Sequence, residues 1–584
     1  MKKAIIITLI AISAQSSLAD YHYASHDGSN TYPYTSWATA ADSIQKAIDA
    51  AEAGDTIYVG SGLWEDGPYE LWDSLALIGM GMDSTVLRGF MEGPHLSVNG
   101  NISVEGFQFE NCRKAIEPHV DDSTLVIRNN RFIENHIAFL GARNSGIIEN
   151  NIFESNDEGI NCIFSCSLIV INNTFVGHLE TAMKTLNGQY YVTNNIFHHN
   201  PHTTSRVLMT LVSAAGDTSY IASNLFYRNL QYDPIINHVL IDPGFKGYCE
   251  NNTIIGFEEA DRFIAVIMEP NYDSCSHFRN NIVTGFRFAI RAYTSPVPNT
   301  ALLYYNDLWN NMYDYYYGDS VIFVEGNIWA DPMFEDTIGF RLQMYSPCID
   351  AGDPIILDPD GSRSDMGVYG GPGGFIYDYL DLAPRVPDSL TGIYDSNSII
   401  LDWRYNTESD FNRYMIYRDT LSGFEPSVFN LIAEPDTSYY IDANIFQGRN
   451  HYYKISAVDN QGNNSDYSEE LAVVITGIDN QSVAIPVNSG ISRNYPNPFN
   501  QQTTIRYYLA DLGYQPAQVQ LYIYNIGGQV VRKLVDERQY PGEYSAVWDG
   551  RGEGGESLSS GIYFARLVIS GLELSNPRKI VLIK

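Results

Sequence analysis

Four residues in the first half of the chain could do chemistry and share a local setting. Glu117, Asn161, Lys184 and Arg291 each directly follow an apolar residue: Ile116, Ile160, Met183 and Ile290. An apolar–polar step of this kind is what an extended strand with one buried face produces. Lys184 is the best candidate for a proton-abstracting base, provided its surroundings lower its pKa, with Glu117 and Arg291 as its candidate partners. The ordinary alternative is a row of solvated outward side chains. Asp121-Asp122 and Asp157-Glu158 suit hydrolysis, in which two carboxyl groups flank one bond, although such pairs also arise by chance in an acidic chain. Asp358, Asp360 and Asp365 offer hard oxygens of the kind calcium takes. However, Arg363 stands where a calcium loop wants glycine at position six, and no Glu stands at position twelve. Tyr304, Tyr305, Trp309, Tyr313, Tyr315, Tyr316 and Tyr317 crowd what reads as one inserted loop, either as a surface for sugar rings or packed on itself.

An internal repeat must position these residues. Asn129-Asn130-Arg131-Phe132 recurs as Asn150-Asn151-Ile152-Phe153, Asn172-Asn173-Thr174-Phe175 and Asn194-Asn195-Ile196-Phe197, then degenerates toward Asn327-Ile328-Trp329. Anchored on the second Asn, the positions are 107, 130, 151, 173, 195, 224, 252, 281, 306 and 327. The steps of 21–29 residues fit solenoid coils, the longer ones carrying loops of about six residues; propeller blades need about 40. Stacked coils would place equivalent residues about 4.8 Å apart. Asn tolerates the left-handed backbone of a tight corner, and its amide can bond to the same amide one coil on. A buried ladder of Asn130, Asn151, Asn173, Asn195, Asn224, Asn252 and Asn281 is expected, with the apolar residue two positions later facing inward. The same alignment puts Glu117, Asn161, Lys184 and Arg291 in nearly one outward column.

Asp42 to Glu52, with Ile44, Ala47, Ile48 and Ala51 on one face, predicts a short cap helix. This pattern, followed by GDTIYVGSGLWED, LALIGMGMDSTVL and the NNxF repeats, resembles the right-handed parallel β-helix of pectin-lyase-like proteins over about residues 35–372. The resemblance implies an all-β solenoid of about twelve coils with an N-terminal cap helix over 20–380. For the lyases of that fold it also implies a Lys or Arg base and calcium that bridges uronate carboxylates to Asp. This chain departs from that pattern, because no cluster of several Asp lies beside Lys184. The architecture also carries hydrolases, esterases and non-catalytic adhesins.

The remaining sequence bounds the setting. Met1-Lys2-Lys3, an apolar stretch from Ala4 to Ile12 and Ser17-Leu18-Ala19 read as a signal peptide over 1–19, cut between Ala19 and Asp20. No later segment is long and apolar enough to span a bilayer. A net charge of −34 repels phosphate backbones, which argues against nucleic acid and anionic membranes as partners. All six cysteines lie between 112 and 348, and in an exported chain Cys249–Cys275 is the best single guess for a disulfide.

Two small β-sandwich domains follow. Residues 383–476, with Trp403 in an early strand and a Tyr-rich strand about 50 residues on, resemble a fibronectin type III sandwich. Residues 490–584 carry Tyr495-Pro496-Asn497-Pro498-Phe499-Asn500, Trp548-Asp549-Gly550 and a terminal Arg578-Lys579-Ile580-Val581-Leu582-Ile583-Lys584. They resemble the C-terminal sorting domain of type IX secretion substrates, which implies that secretion machinery as a partner and a cell-surface or extracellular destination. A related Ig-like module, as in flagellar hook-cap proteins, is the alternative. The expectation is a monomeric exported protein that binds polysaccharide and cuts it as a lyase or hydrolase, with calcium as its candidate cofactor. A non-catalytic adhesin or a structural surface protein is the alternative.

Overall fold

The computed structural model describes residues 19–583 except 73, 91–93, 187, 201–206, 213–217, 230–238, 245–246, 257–263, 269–274, 293–299, 317–320, 324, 396, 447–448, 476–488, 511–516, 527–528, 541 and 570–571. The signal-peptide residues 1–18 lie outside the described residues. The chain divides into two compact units, and the second takes nearly everything from Leu380 onward.

One coil shows how the sequence is used. Ser145–Glu149 runs straight with Ile148 buried, Asn150 turns the corner in the left-handed region (φ 56°), and Asn151 is buried. Ile152–Glu154 then crosses a short side with Phe153 inside, and Glu158–Phe164 returns along the third side. Stacking such coils makes three parallel sheets of 13, 11 and 10 strands. The first runs from Tyr21–Ala24 to Val321–Phe323, the second from Tyr69–Leu71 to Tyr313–Tyr316, and the short-sided third from Gly62–Trp64 to Ile282–Thr284. This is a parallel β-helix. Ten strands complete the short side, fewer than the expected twelve coils, because beyond Ile282 it continues only as single bridges through Asp307 and Ile328.

The paired asparagines divide two jobs that a single column was expected to do. The first of each pair takes positive φ at 129, 150, 172, 194, 251 and 280. The second forms the ladder, in which each amide N–H donates to the Oδ1 of the next Asn. Asn130 to Asn151, Asn151 to Asn173 and Asn173 to Asn195 are all 2.9 Å, and the chain of bonds continues through Asn224, Asn252, Asn281 and Asn306 to Asn327. Beside it, Phe109, Phe132, Phe153, Phe175, Phe197 and Phe226 stack at 4.5–5.0 Å inside the coil. A second ladder passes the next corner through Asn135 and Asn156, then His178, whose amide donates to Asn200 Oδ1 (2.9 Å), and on to Asn229. Its members stand five residues beyond the first ladder's.

The N-terminal cap helix is Ile44–Asp49, shorter than expected, with Ile44, Ala47 and Ile48 buried. It stops early because Asp55 Oδ2 accepts the amide of Glu52 (2.8 Å), turning the chain toward the first coil. Asp55 Oδ1 accepts the amide of Asp20 (2.8 Å), and His22 Nε2 lies 3.2 Å from its carboxylate. At the other end, the closing segment docks on the corner asparagines. Asn280 Oδ1 accepts the amide of Asp353 (2.7 Å), and Asn251 Nδ2 donates to Ser364 Oγ and the Asp365 carbonyl.

In the second unit, Phe411–Asp419 and His451–Asp459 pair antiparallel within a four-stranded sheet. It belongs to a sandwich that buries Trp403, Tyr414 and Tyr453. Sheets of three and four strands also form the C-terminal sandwich, from Gly490–Tyr495 to Leu572–Leu582, around Trp548, Tyr507 and Ile523.

Candidate functional site

The second sheet carries the Lys184 column. Its register places Glu117 beside Ser97, aligns Leu140, Asn161, Lys184, Thr210 and Asp242 in successive coils, and ends on Ile267, Arg291 and Tyr316. The candidates therefore share a column but not a centre. At about 4.8 Å per rung, Glu117 is three rungs (about 14 Å) from Lys184, and Arg291 is four rungs (about 19 Å) away on the other side. Acid–base partners must lie within hydrogen-bond reach of one reacting bond. Glu117 is already paired with Lys114 Nζ at 2.6 Å. Asn161, the immediate neighbour of Lys184, donates to Glu158 (2.5 Å). Lys184 itself is half-buried and makes no hydrogen bond or ion pair among the described residues. The hydrolase pairs are engaged elsewhere too: Asp121 with Arg143 (2.8 Å) and Asp157 with His136 (2.7 Å).

The closing-segment aspartates accept hydrogen bonds from the closing segment itself. Asp358 accepts the amides of Asp365 (3.0 Å) and Gly371 (2.5 Å). Asp360 accepts the amide and hydroxyl of Ser362. Asp365 accepts the Asp350 amide and the Tyr379 hydroxyl, and burial pushes its pKa up to about 6. Among the described residues these three do not gather into one ligand set. The Cys249–Cys275 pairing is also corrected. Cys249 is a buried free thiol level with Phe278, three residues along the strand from Cys275. Three residues are about 10 Å of strand, beyond the Cα separation a disulfide spans.

The aromatic loop is in fact two strands of different sheets. Tyr304 ends Thr300–Tyr304 of the first sheet, whereas Tyr315 and Tyr316 lie on Tyr313–Tyr316 of the second, their side chains outside the described residues. Tyr305 turns the corner (φ 56°) with the Arg363 guanidinium 5.3 Å from its ring centroid, and Trp309 is half-buried in the following turn. The expected loop is thus divided between two sheets.

A different aromatic array appears on the outward face of the first sheet. Ile147, Ile169, Tyr191, Tyr220, Tyr248 and His277 occupy one column. Tyr191 and Tyr220 stack at 5.1 Å, Tyr220 and Tyr248 at 5.1 Å, and Tyr248 and His277 at 4.7 Å, with planes 9–10° apart. Tyr304 meets His277 edge-on and shares a hydrogen bond with its Nδ1 (2.9 Å). Ile169 extends the stripe, 42% exposed. The Arg279 guanidinium lies 5.2 Å from the Tyr248 ring and 5.8 Å from that of Tyr304, with its charge balanced by Glu250 (2.7 Å) and Asp353 (3.0 Å). Burial, and then Arg279, lower the pKa of His277, so the stripe is neutral at pH 7. Tyr191, Tyr220, Tyr248 and His277 each stand four residues before a ladder Asn, a constant offset from which the column could have been read. Because each ring's face is covered by the next, the array presents edges and hydroxyls at intervals of about one coil.

Comparisons with known proteins follow the same division. Residues 49–235 match the family of the periplasmic copper-binding protein NosD, and residues 501–570 match the FlgD Ig-like domain. No curated protein matches the chain. A fibronectin type III-like protein from Clostridium thermocellum is 30% identical over 17% of this chain and 99% of that one, with a TM-score of 0.15. Dimeric latent PorU from Porphyromonas gingivalis is 15% identical over 38% and 22%, with a TM-score of 0.18. The catalytic unit of a GH87 α-1,3-glucanase from Streptomyces thermodiastaticus is 13% identical over 49% and 66%, with a TM-score of 0.30.

Proposed function

We propose that this chain is an exported β-helix protein that holds a neutral polysaccharide along the outward face of its first sheet without cutting it. The column of Tyr191, Tyr220, Tyr248 and His277 carries the reading: an uncharged, amphipathic, evenly repeating edge suits an uncharged, evenly repeating polymer. The net charge of −34 favours neutral over anionic glycans. The dispersal of Lys184, Glu117 and Arg291 over separate coils favours binding over lyase chemistry. Copper is not carried over from NosD, because among the described residues no His or Cys joins a group of three such ligands. The C-terminal sandwich is assigned the sorting role, supported by the leader-like residues 1–19 and the motifs around Pro496 and Trp548. No helix among the described residues is long and apolar enough to cross a membrane.

Affinity electrophoresis of the full chain through gels cast with neutral or acidic polysaccharides tests the binding. Retardation by a neutral polymer, weakened about threefold to tenfold in each of Tyr220→Ala and Tyr248→Ala, is expected from losing one ring contact of about 0.5–1.5 kcal/mol. Retardation unchanged in both variants, or unsaturated product ends that vanish in Lys184→Ala, would overturn it.

A further inference from the structure

The first sandwich gathers carboxylates from three distant parts of the sequence. Asp381 lies on the segment entering the domain, Asp410 precedes the strand Phe411–Asp419, and Asp459 ends the strand His451–Asp459. Phe411 pairs with Asp459 in the ladder, and the Asn460 amide donates to the Asp410 carbonyl (2.9 Å), so strand pairing itself brings the two acids together. One carboxylate oxygen from each of Asp381, Asp410 and Asp459 lies within 4.8 Å of the others, and Asp410 and Asp459 are buried.

The local hydrogen bonds account for only part of this. Asp459 accepts the amides of Gln461 (2.9 Å) and Asn463 (2.8 Å) and the side chain of Asn463 (2.8 Å), which also donates to Asp381 (3.1 Å). The carboxylate of Asp410 accepts only from its own amide among the described residues. A fourth carboxylate, Glu408, is 7% exposed; its Oε1 is held by Arg385 and Asn406, but its Oε2 is buried with no donor. Glu408 stands two residues before Asp410, and its charge acts on that carboxylate together with those of Asp459 and Asp381. A buried oxygen without a donor, set among converging carboxylates, costs free energy that a bound cation would recover.

We propose that Asp381, Asp410 and Asp459, with Glu408 as the buried fourth carboxylate, form a calcium site at the entry to the first sandwich. A cage built from several protein carboxylates suits calcium, whereas magnesium keeps most of its waters and takes only one or two carboxylates. The cation would tie the incoming segment at Asp381 to two strands of the sandwich.

Titration calorimetry of CaCl2 into the EDTA-dialysed full chain tests this. One site with a dissociation constant of about 10⁻⁴–10⁻³ M, the range of extracellular modules, is expected. Asp410→Asn should weaken it by about tenfold or more. Asp381→Asn, at an exposed position that the sandwich core does not need, should weaken it comparably while leaving the far-ultraviolet dichroism unchanged. No heat up to about 10 mM calcium, or binding that is the same in wild type and both variants, would overturn the proposal; the second result would place calcium elsewhere in the chain.

Discussion

Asn173→Ala is the sharpest test of how the solenoid is held together. Asn173 is 1% exposed, and its side chain takes part in five hydrogen bonds. Oδ1 accepts the amide of Asn151 (2.9 Å) and its Nδ2 (3.0 Å), while Nδ2 donates to the carbonyls of Ile148 (2.8 Å) and Ile171 (3.0 Å) and to Asn195 Oδ1 (3.0 Å). Truncation leaves the buried Asn151 amide without an acceptor, about 1–3 kcal/mol, and strips the Ile148 carbonyl as well. The sum is about 3–5 kcal/mol. Its exposed neighbour Asn172 holds φ 57° and is not a ladder member, so Asn172→Ala should cost only about 1 kcal/mol and Asn172→Gly close to nothing. Urea unfolding of the three variants measures the difference, and hydrogen exchange at the Asn151 amide should quicken only in Asn173→Ala. If Asn173→Ala falls within about 1 kcal/mol of wild type, or costs less than Asn172→Ala, the division of labour between the two asparagines is refuted.

Three further outcomes are expected. Asp307 is buried between the Ala330 amide and the Cys348 thiol, and burial raises its pKa from 3.8 to about 8. Between those values the folded state keeps a proton that the unfolded state has lost. This group's contribution is therefore full below about pH 4 and is lost as pH rises toward 8; thermal melts across that range should show the decline, and Asp307→Asn should flatten it. Phe153→Ala, opening the middle of the aromatic stack, should cost about 3–5 kcal/mol in urea unfolding. Lys184→Ala should leave both glycan retention and stability within about 0.5 kcal/mol of wild type, since the side chain is half-exposed and unbonded among the described residues.

Features tied to the repeat could be read from the sequence, and features made by pairing across it could not. The Asn anchors predict the coil because one residue type recurs at one corner, and the inward Phe two positions later follows from strand alternation. The Glu117–Arg291 column is correct in register, yet sequence alignment carries no rung spacing, so candidates far apart along the axis looked like neighbours. The Tyr304–Tyr316 segment misled for the opposite reason. Its rings are close in sequence but are split by the corner at Asn306 between two sheets. Asp358, Asp360 and Asp365 have the look of a calcium loop, but the amides of Asp365, Gly371, Ser362 and Asp350 already take up their oxygens. Asp381, Asp410 and Asp459 have no spacing signature at all, since antiparallel pairing brings Asp410 to Asp459 and the entering segment adds Asp381.

The contact between Asp20 and Asp55 bears on the proposed cut after Ala19. In the uncut chain the Asp20 nitrogen is a neutral amide with one hydrogen to give. Cutting after Ala19 would turn that nitrogen into an ammonium with three hydrogens and a positive charge, facing a carboxylate that is 6% exposed. A neutral hydrogen bond would become a charge-assisted one, roughly twice as strong. The strand it secures, Tyr21–Ala24, is the first of the first sheet, and its outer edge is closed by backbone hydrogen bonds to Tyr34 and Ala41. If the chain is cut there, as proposed, the cut itself would act as a latch that fastens the end of the solenoid.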